Sequence, residues 1–514
     1  MYNHIISDPN TSITRSDLEV RAAKGASLLK YHGVRNDDRV AIIMRNDVTC
    51  CEVMRAIALA GGVTVQINWH GEPQEVSDIL NDCKAKLVIS HRDFLKKLEA
   101  TLKRVMVIGV KPPEAIKLAY KLNECFSDFD SSVPEWSRLI EKEAPLSRKV
   151  PMRPMMRYTS GSTGKPKGII RAQKTTKNGI VDYYLTLRKL AKKMFSFHFD
   201  AHFMTAAPLY HSGPSTLISM ALAMENMSAT VLPRFDPENF LKSIEEKKIT
   251  HIYLVPTMMA RLLKLPKMIK KQYDLSSVEF CVSTGSPWPH DIKKAMIDWW
   301  GPVFWETYGA SELGFITLVS SKEALDRPGT VGKIQHGGSI KIFDANRNPL
   351  PQGEVGDIYV KTDAFGHFIY SASNEDEKRQ EIEEHVSVGD IGWIDQDGYL
   401  FVSDRKKDMI ISGGVNIFPT EIESYLIDAP FIVDVAVFGA PDDEFGEKII
   451  AAIQPAQDWQ ANKIDVIKWL DGKLARFKHP KEIEFHIALP REDSGKIFKA
   501  KLREPYWIEA NRKI

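Results

Sequence analysis

Cysteine is scarce in this 514-residue chain: Cys50, Cys51, Cys83, Cys125 and Cys281 are the five present. Their odd number and scatter, without C-x-x-C spacing, exclude a disulfide scaffold and a cysteine-based zinc motif. They read as small apolar residues in a reducing compartment, so the expected location is cytoplasmic. No run reaches the ~18 consecutive apolar residues of a membrane span. Residues 1–10 are polar and include an acid where a secretory leader would be basic and then apolar. A surplus of one charge is also missing. Lys and Arg total 69 against 67 for Asp and Glu, a net charge of +2, so no overall field favours nucleic acid. The basic stretch at 188–193 lacks interleaved aromatics and reads as a solvated helix face. Tandem repeats and low-complexity tracts are absent, which removes solenoid and fibrous folds.

What is present is ample core material, with 43% hydrophobic and 26% charged residues, in a chain too long for one core. Helical patterns at 16–32, 48–60 and 73–83 alternate with short apolar runs at 40–44, 63–67 and 86–90, which argues for a parallel α/β sheet. A second pass follows, with strands at 204–207, 230–232 and 252–255 and helices at 237–247 and 257–263. From about 329 to 402 the pattern shortens to Gly-punctuated strands at 339–343, 357–360 and 399–402, with turn signals at Asn348-Pro349 and Asp397-Gly398. After a charged run at 404–408, a helix at 420–427, a strand at 433–438 and a helix near 464–474 suggest a separate unit. The expected fold is a multidomain α/β protein. Residues 1–404 form a large N-terminal domain of two α/β subdomains plus a small β-barrel-like unit, and 408–514 form an α+β C-terminal domain.

The segment Tyr158-Thr159-Ser160-Gly161-Ser162-Thr163-Gly164-Lys165-Pro166-Lys167-Gly168 holds three glycines, four Ser/Thr hydroxyls and two lysines. Glycines let backbone N–H groups approach phosphate oxygens, hydroxyls add donors, and lysine offsets negative charge. The spacing is not that of a Walker loop. Composition alone also fits a solvent-exposed Gly/Ser linker.

This segment closely resembles the phosphate-binding loop of the adenylate-forming superfamily of acyl-CoA synthetases, luciferases and nonribosomal adenylation domains. Further motifs of that superfamily occur in order: Pro208-Leu209-Tyr210-His211, Tyr308-Gly309-Ala310-Ser311-Glu312, Gly353-Glu354-Val355-Gly356, Gly389-Asp390, Asp404-Arg405-Lys406-Lys407-Asp408 and Ser494-Gly495-Lys496. The resemblance spans essentially the whole chain.

The resemblance implies ATP-dependent activation of a carboxylic acid, followed by transfer of the acyl group to coenzyme A. Lys496 is the expected chief catalytic residue, stabilising charge at the α-phosphate, with Glu312 and Thr163 as the Mg²⁺ site and His211 as a gate. Thr159, Ser160, Gly161, Ser162, Thr163, Gly164 and Lys167 would hold the phosphates. Tyr308 would stack on adenine opposite Gly285, Ser286 and Pro287, alongside Glu306, Thr307, Gly309 and Ser311. Asp390 would accept from the ribose hydroxyls, and Arg405 would add a forked donor. Lys407 occupies the hinge position, within 405–407, of a domain rotation that brings Gly413 and Gly414 to the site. Phe445, Phe477, Lys478 and His479 would meet coenzyme A, and His211, Trp288, Gly309, Leu313 and Phe315 would line the acyl pocket. Ser162, Ser311, Val388, Asp404 and Lys499 depart from the commonest pattern. None removes a required functional group.

Asn68-Trp69-His70, Gly168-Ile169-Ile170-Arg171, Ser412-Gly413-Gly414-Val415-Asn416-Ile417 and Leu502-Arg503-Glu504-Pro505-Tyr506-Trp507 resemble one branch of bacterial acyl-CoA synthetases. That branch implies a medium- or long-chain fatty acid or another bulky hydrophobic acid. Expected partners are the acid, ATP and coenzyme A, with a homodimer as one possible assembly. The nearest alternative acceptor is a carrier protein. No carrier domain follows Ile514 and no insertion typical of fatty-acyl-AMP ligases is visible, which favours coenzyme A. A luciferase-like oxidase and a non-catalytic nucleotide-binding relative are the other readings. Retention of Glu312, Asp390, Arg405 and Lys496 together argues against the second.

Overall fold

The computed structural model describes residues 4–122, 132–147, 150–160, 166–172, 175–176, 179–180, 182–286, 288–335, 337–362, 368–371, 381–406, 408–413, 415–457, 459–460, 462–491 and 497–510. Among them, no helix is long and apolar enough to cross a membrane.

Local signals fix many of the elements. The helix Pro73–Cys83 starts with a reciprocal capping box between Glu72 and Glu75 and has Pro at its first position, and it buries Val76, Ile79, Leu80 and Cys83. That spacing lays one apolar stripe against the sheet. In the helix Pro237–Lys247, Asp236 caps the N-terminus and left-handed Lys248 closes the C-terminus, while Phe240, Leu241 and Ile244 are buried. Burial of each such side chain stabilises by roughly 1.5–3 kcal/mol. The strands His202–Thr205, His251–Leu254 and Phe280–Ser283 are buried at every position. That is the signature of parallel strands covered by helices on both faces.

Two sheets organise the large domain. One has four parallel strands in the order Val63–Gln66, Arg39–Ile43, Leu87–His91, Val107–Val110. The second begins with the antiparallel pair Ser12–Thr14 and Ile5–Ser7. It continues in parallel through Ser228–Val231, His202–Thr205, His251–Leu254, Phe280–Ser283 and Phe304–Glu306. Its N-terminal edge is a departure from the sequence reading, which assigned no strand to the first ten residues. Three-residue strands carry too little periodicity to be recognised alone, and Ile6 is recruited by its register with Ala229. Beyond Phe304–Glu306 the sheet turns antiparallel and runs through Thr317–Ser320, Thr330–Ile334, Leu400–Arg405, His385–Ile394 and Gly356–Lys361 to Ser339–Phe343. The β-rich unit is thus the antiparallel continuation of the second sheet.

The C-terminal part packs the helices Pro419–Ile427 and Lys463–Leu470 on a five-stranded sheet of Val415–Ile417, Ile410–Ser412, Gly446–Pro455 and Ile432–Asp442, with Glu482–Phe485 parallel to Gly446–Pro455. It has its own core, including Ile410, Ile422, Val437, Ala451 and Val466.

Candidate active site

Ligands of open parallel sheets bind beyond the carboxyl ends of the strands, and His211, Gly285, Ser286 and Tyr308 lie there. His202–Thr205 leads to His211, the N-cap of the helix Ser212–Ala223. Phe280–Ser283 leads to Gly285 and Ser286, and Phe304–Glu306 leads to Thr307 and Tyr308. Gly285 has φ +97 with nothing within 4 Å of a Cβ built on it, so the backbone there faces open space. Gly309–Ala310 pairs with Gly314–Phe315, and a Cβ on Gly309 would lie 2.3 Å from the Gly314 carbonyl oxygen. Glycine is therefore required at 309 by the fold itself.

Two paired strands carry the two ends of the segment richest in hydroxyls and glycines. Arg157–Ser160 and Pro166–Arg171 are antiparallel arms, and Phe368–Tyr370 pairs with the second arm. Gly161, Ser162, Thr163 and Gly164 lie outside the described residues, as do Pro287, Lys407, Gly414 and Lys496; Thr159 and Ser160 are placed by backbone alone. The arms are anchored from below. Tyr158 and Ser371 both donate to Asp82 of the helix Pro73–Cys83, and burial with this bond pushes the Tyr158 phenol far up. Lys167 sits on the second arm, half-buried.

Tyr308 and Asp390 meet directly: the Tyr308 hydroxyl donates to Asp390 Oδ2 at 2.5 Å. Arg405 lies opposite Asp390 in the strand register, with Nε 3.7 Å from Oδ1. A half-buried aromatic face and a carboxylate with a guanidinium beside it are thus assembled from two distant segments. Glu312 accepts from the Tyr370 hydroxyl at 3.1 Å, which leaves carboxylate lone pairs for a hard cation.

Other expected residues have local duties. Glu306 is buried and its carboxylate accepts from Lys293 Nζ at 2.5 Å. Burial pushes the Glu306 carboxyl up against the pull of that lysine. The Thr307 hydroxyl donates to the Thr317 carbonyl at 2.6 Å, and Ser311 Oγ lies 3.4 Å from Ser212 Oγ. Trp288 and Phe315 belong to the large apolar core of the second sheet. Leu313 instead packs with Ile169, Ile316 and Phe368 beneath the paired arms, so Trp288 and Leu313 are not brought into one cluster.

On the C-terminal part, Gly413 N donates to the Phe445 carbonyl at 2.8 Å, and Lys481 Nζ lies 3.7 Å from the centre of the half-exposed Phe445 ring. Phe477 is exposed. Lys478 is held by Glu421 at 2.6 and 2.7 Å, and His479 Nε2 lies 3.0 Å from the Leu474 carbonyl. Contact with an anionic ligand there requires Lys478 to leave Glu421.

Two arginines form a polar layer; sequence reasoning named Arg171 only within a branch motif and passed over Arg157. Arg157 donates to Thr216 Oγ1 at 2.7 Å; Arg171 donates to the Ser311 carbonyl at 2.7 Å and to Tyr183 at 3.4 Å. Burial and the neighbouring Arg171 hold the Arg157 guanidinium down to about 10. Arg157 precedes the loop motif and carries no spacing signal; only the tertiary approach of the helix Ser212–Ala223 shows its place.

Comparison with known proteins agrees with this geometry. The AMP-binding enzyme family pattern matches residues 2–367, and that of the AMP-binding enzyme C-terminal domain matches 421–496. The chain is 29% identical over 499 residues to a feruloyl-CoA synthase of an Amycolatopsis species, covering 96% of this chain and 94% of that one. It is 28% identical over 506 residues to the long-chain-fatty-acid–CoA ligase FadD13 of Mycobacterium tuberculosis, covering 97% and 94%. It is also 28% identical over 515 residues to the fatty acid–[acyl-carrier-protein] ligase ScoC of Streptomyces coeruleorubidus, covering 98% and 93%. The crystal structure of the anthranilate CoA ligase AuaEII in complex with anthranoyl-AMP superposes with a TM-score of 0.83 at 25% identity, covering 99% and 95%. The chain belongs to the AMP-binding enzyme family, and with it to the adenylate-forming superfamily of ATP-dependent ligases.

Proposed function

We propose that the chain activates a carboxylic acid with ATP, releasing pyrophosphate and forming the acyl-adenylate, and then passes the acyl group to the thiol of coenzyme A, releasing AMP. The observation that carries the first step is the meeting of Tyr308, Asp390 and Arg405 at the carboxyl end of the second sheet. This arrangement suits a nucleoside: the ring face takes adenine, and the carboxylate takes ribose hydroxyls beside a guanidinium. Gly285 and Ser286 supply the open backbone opposite. Thr159 to Gly164 and Lys167 take the phosphates. Glu312 and Thr163 would hold Mg²⁺, which would offset phosphate charge. The acid's carboxylate and the α-phosphate repel, so Lys496 is assigned the positive charge that lets their oxygen and phosphorus approach in line. Glu306 and Thr307 support the site from below through Lys293 and Thr317.

For the second step, Lys407 is the hinge. Gly413 and Gly414 make room for the thiol arm, with Phe445 and Lys481 as the stacking and cationic partners for coenzyme A. The acid proposed is a medium- or long-chain fatty acid or another bulky hydrophobic one. Trp288 and Phe315 in the large apolar core support that reading. Delivery to a carrier protein is the second reading, favoured by the likeness to the acyl-carrier-protein ligase.

Pyrophosphate release measured over acids from acetate to long-chain, aromatic and sterol-derived acids, with and without coenzyme A, tests the proposal. Acid-dependent release with acyl-CoA appearing is the expected result. Release without acyl-CoA moves the acceptor to a carrier protein, and no release with any acid defeats the catalytic reading.

A further inference from the structure

At the opposite end of the second sheet, where the parallel strands begin, His198, His251 and Glu279 each present a ligand atom, and these atoms all lie within 4.8 Å of one another. His251 opens the strand His251–Leu254, and Glu279 immediately precedes Phe280–Ser283. These strands are registered by Glu279 N and Phe280 N, which donate to the Thr250 carbonyl at 2.8 and 3.1 Å. His198 comes from the turn after the helix Tyr183–Met194. That turn holds two non-glycine residues in the left-handed region, Ser196 at φ 53 and Asp200 at φ 65, a conformation that costs free energy and aims His198 at the sheet. Strands four residues long at ~3.3 Å per residue set this cluster on the order of 10 Å or more from the acid-activating end.

The imidazoles are oriented from behind. His198 Nδ1 lies 2.6 Å from the Phe199 carbonyl, which leaves Nε2 facing Glu279 Oε2 at 2.8 Å. His251 Nε2 lies 3.2 Å from the Ser196 carbonyl and Nδ1 lies 2.8 Å from Thr250 Oγ1. The Thr250 hydroxyl has a second acceptor in the His202 carbonyl at 3.4 Å, so His251 can release it cheaply. Backbone carbonyls from one turn thus hold a nitrogen of each ring, the arrangement by which proteins fix histidine ligands. The side chains of His198 and Glu279 are 46% and 54% exposed, while His251 is buried, which provides both an entry path and a rigid anchor.

We propose that His198, His251 and Glu279 form a site for a divalent transition metal, Zn²⁺ by preference, separate from the acid-activating centre, which pins the 196–200 turn to the sheet. Two imidazoles and one carboxylate suit zinc, cobalt or nickel; Mg²⁺ prefers an all-oxygen shell. Zn–N and Zn–O bonds of ~2.0–2.2 Å put tetrahedral ligand atoms about 3.3 Å apart. The His198–Glu279 pair, at 2.8 Å, opens slightly and His251 closes from within 4.8 Å, with water completing the shell. Metal replaces the His198–Glu279 ion pair as the link between the turn and the strands. The site does not depend on which acid or acceptor the enzyme uses.

The test is titration of the metal-stripped full-length protein with Co²⁺ and Zn²⁺, beside His198→Ala and Glu279→Gln, whose side chains are exposed enough to spare the fold. One equivalent of Co²⁺ should give the intense visible bands of a tetrahedral centre. Both variants should weaken binding by about 10- to 100-fold or more, as loss of a supporting ligand does. Zn²⁺ should raise the melting temperature of the parent protein alone, and Mg²⁺ should do none of this. Binding that is absent in the parent protein, or unchanged in both variants, overturns the assignment.

Discussion

The Tyr308 hydroxyl and Asp390 Oδ2, 82 residues apart, are joined by a 2.5 Å hydrogen bond. It ties the end of the last parallel strand to the antiparallel extension of the same sheet. Burial, then Asp390 itself, push the Tyr308 phenol far above its usual range, so it stays protonated and donating. The aromatic face and the carboxylate proposed for the nucleoside are therefore set relative to each other before any ligand arrives.

Tyr308→Phe keeps the ring and deletes only that bond. A hydrogen bond to a charged group contributes about 1.5–3 kcal/mol, so the KM for ATP should rise roughly 10- to 100-fold, with a smaller change in kcat. Acid-dependent ATP–pyrophosphate exchange reads both constants. A KM within twofold of the parent value would show that the bond does not preset the nucleoside site.

Lys293 and Glu306 form a buried ion pair at 2.5 Å, with side chains 6% and 9% exposed. Removing one partner strands the other charge, which costs about 3–5 kcal/mol. Lys293→Met should lower the urea midpoint accordingly, and Lys293→Met with Glu306→Leu should recover most of it. If Glu306 supports the site only through this pair, the double variant also keeps its KM for ATP. A large KM increase in the double variant would return Glu306 to direct nucleotide contact.

Elements with their own end signals were legible in the sequence. The helices at 73–83 and 237–247 are read with the ends the structure gives them, because Pro at the first turn, an acidic cap and one apolar stripe all agree. Ile5–Ser7 was not legible, since its parallel partner is more than two hundred residues away and its antiparallel partner, Ser12–Thr14, is equally short. Adjacency in a motif does not by itself fix a side chain's partners. Glu306 stands two residues before Tyr308 yet is claimed by Lys293, and Leu313 follows Glu312 yet packs away from Trp288. His198, His251 and Glu279 have no motif spacing at all and meet only because parallel strands align their starting ends.

His202 gives the fold a dependence on acid. Its ring is enclosed between Thr230 Oγ1 at 2.8 Å and the Lys247 carbonyl at 3.1 Å. Burial, reinforced by Lys247, lowers it to about 4. The unfolded chain takes up this proton near pH 6.5 and the folded chain only near 4. Stability is therefore present above pH 6.5 and lost as pH falls toward 4, by about 3 kcal/mol from this group. Urea unfolding from pH 7 to 4 should show His202→Gln losing less stability than the parent protein. Parallel curves would remove His202 as a contributor.

Contacts across the proposed hinge make the domain arrangement itself testable. Asp404 precedes Lys407, and its carboxylate accepts from Thr420 N at 3.1 Å on the far side; Thr420 donates in turn to the Ser403 carbonyl. Lys499, three residues beyond Lys496, pairs with Glu423 at 2.7 Å. Burial pulls the Lys499 ammonium down, but Glu423 and then Asp404 more than offset it, and its net shift is upward. A rotation at Lys407 would keep Lys499 with Glu423, both on the C-terminal part, and break the links to Asp404. Asp404→Asn removes the charge while retaining size, weakening this arrangement by about 1–3 kcal/mol. Acyl-adenylate formation should slow by about 5-fold or more, while thioester formation from supplied acyl-adenylate and coenzyme A holds or quickens. Equal loss of both half-reactions would mean that Asp404 supports the fold without biasing the rotation.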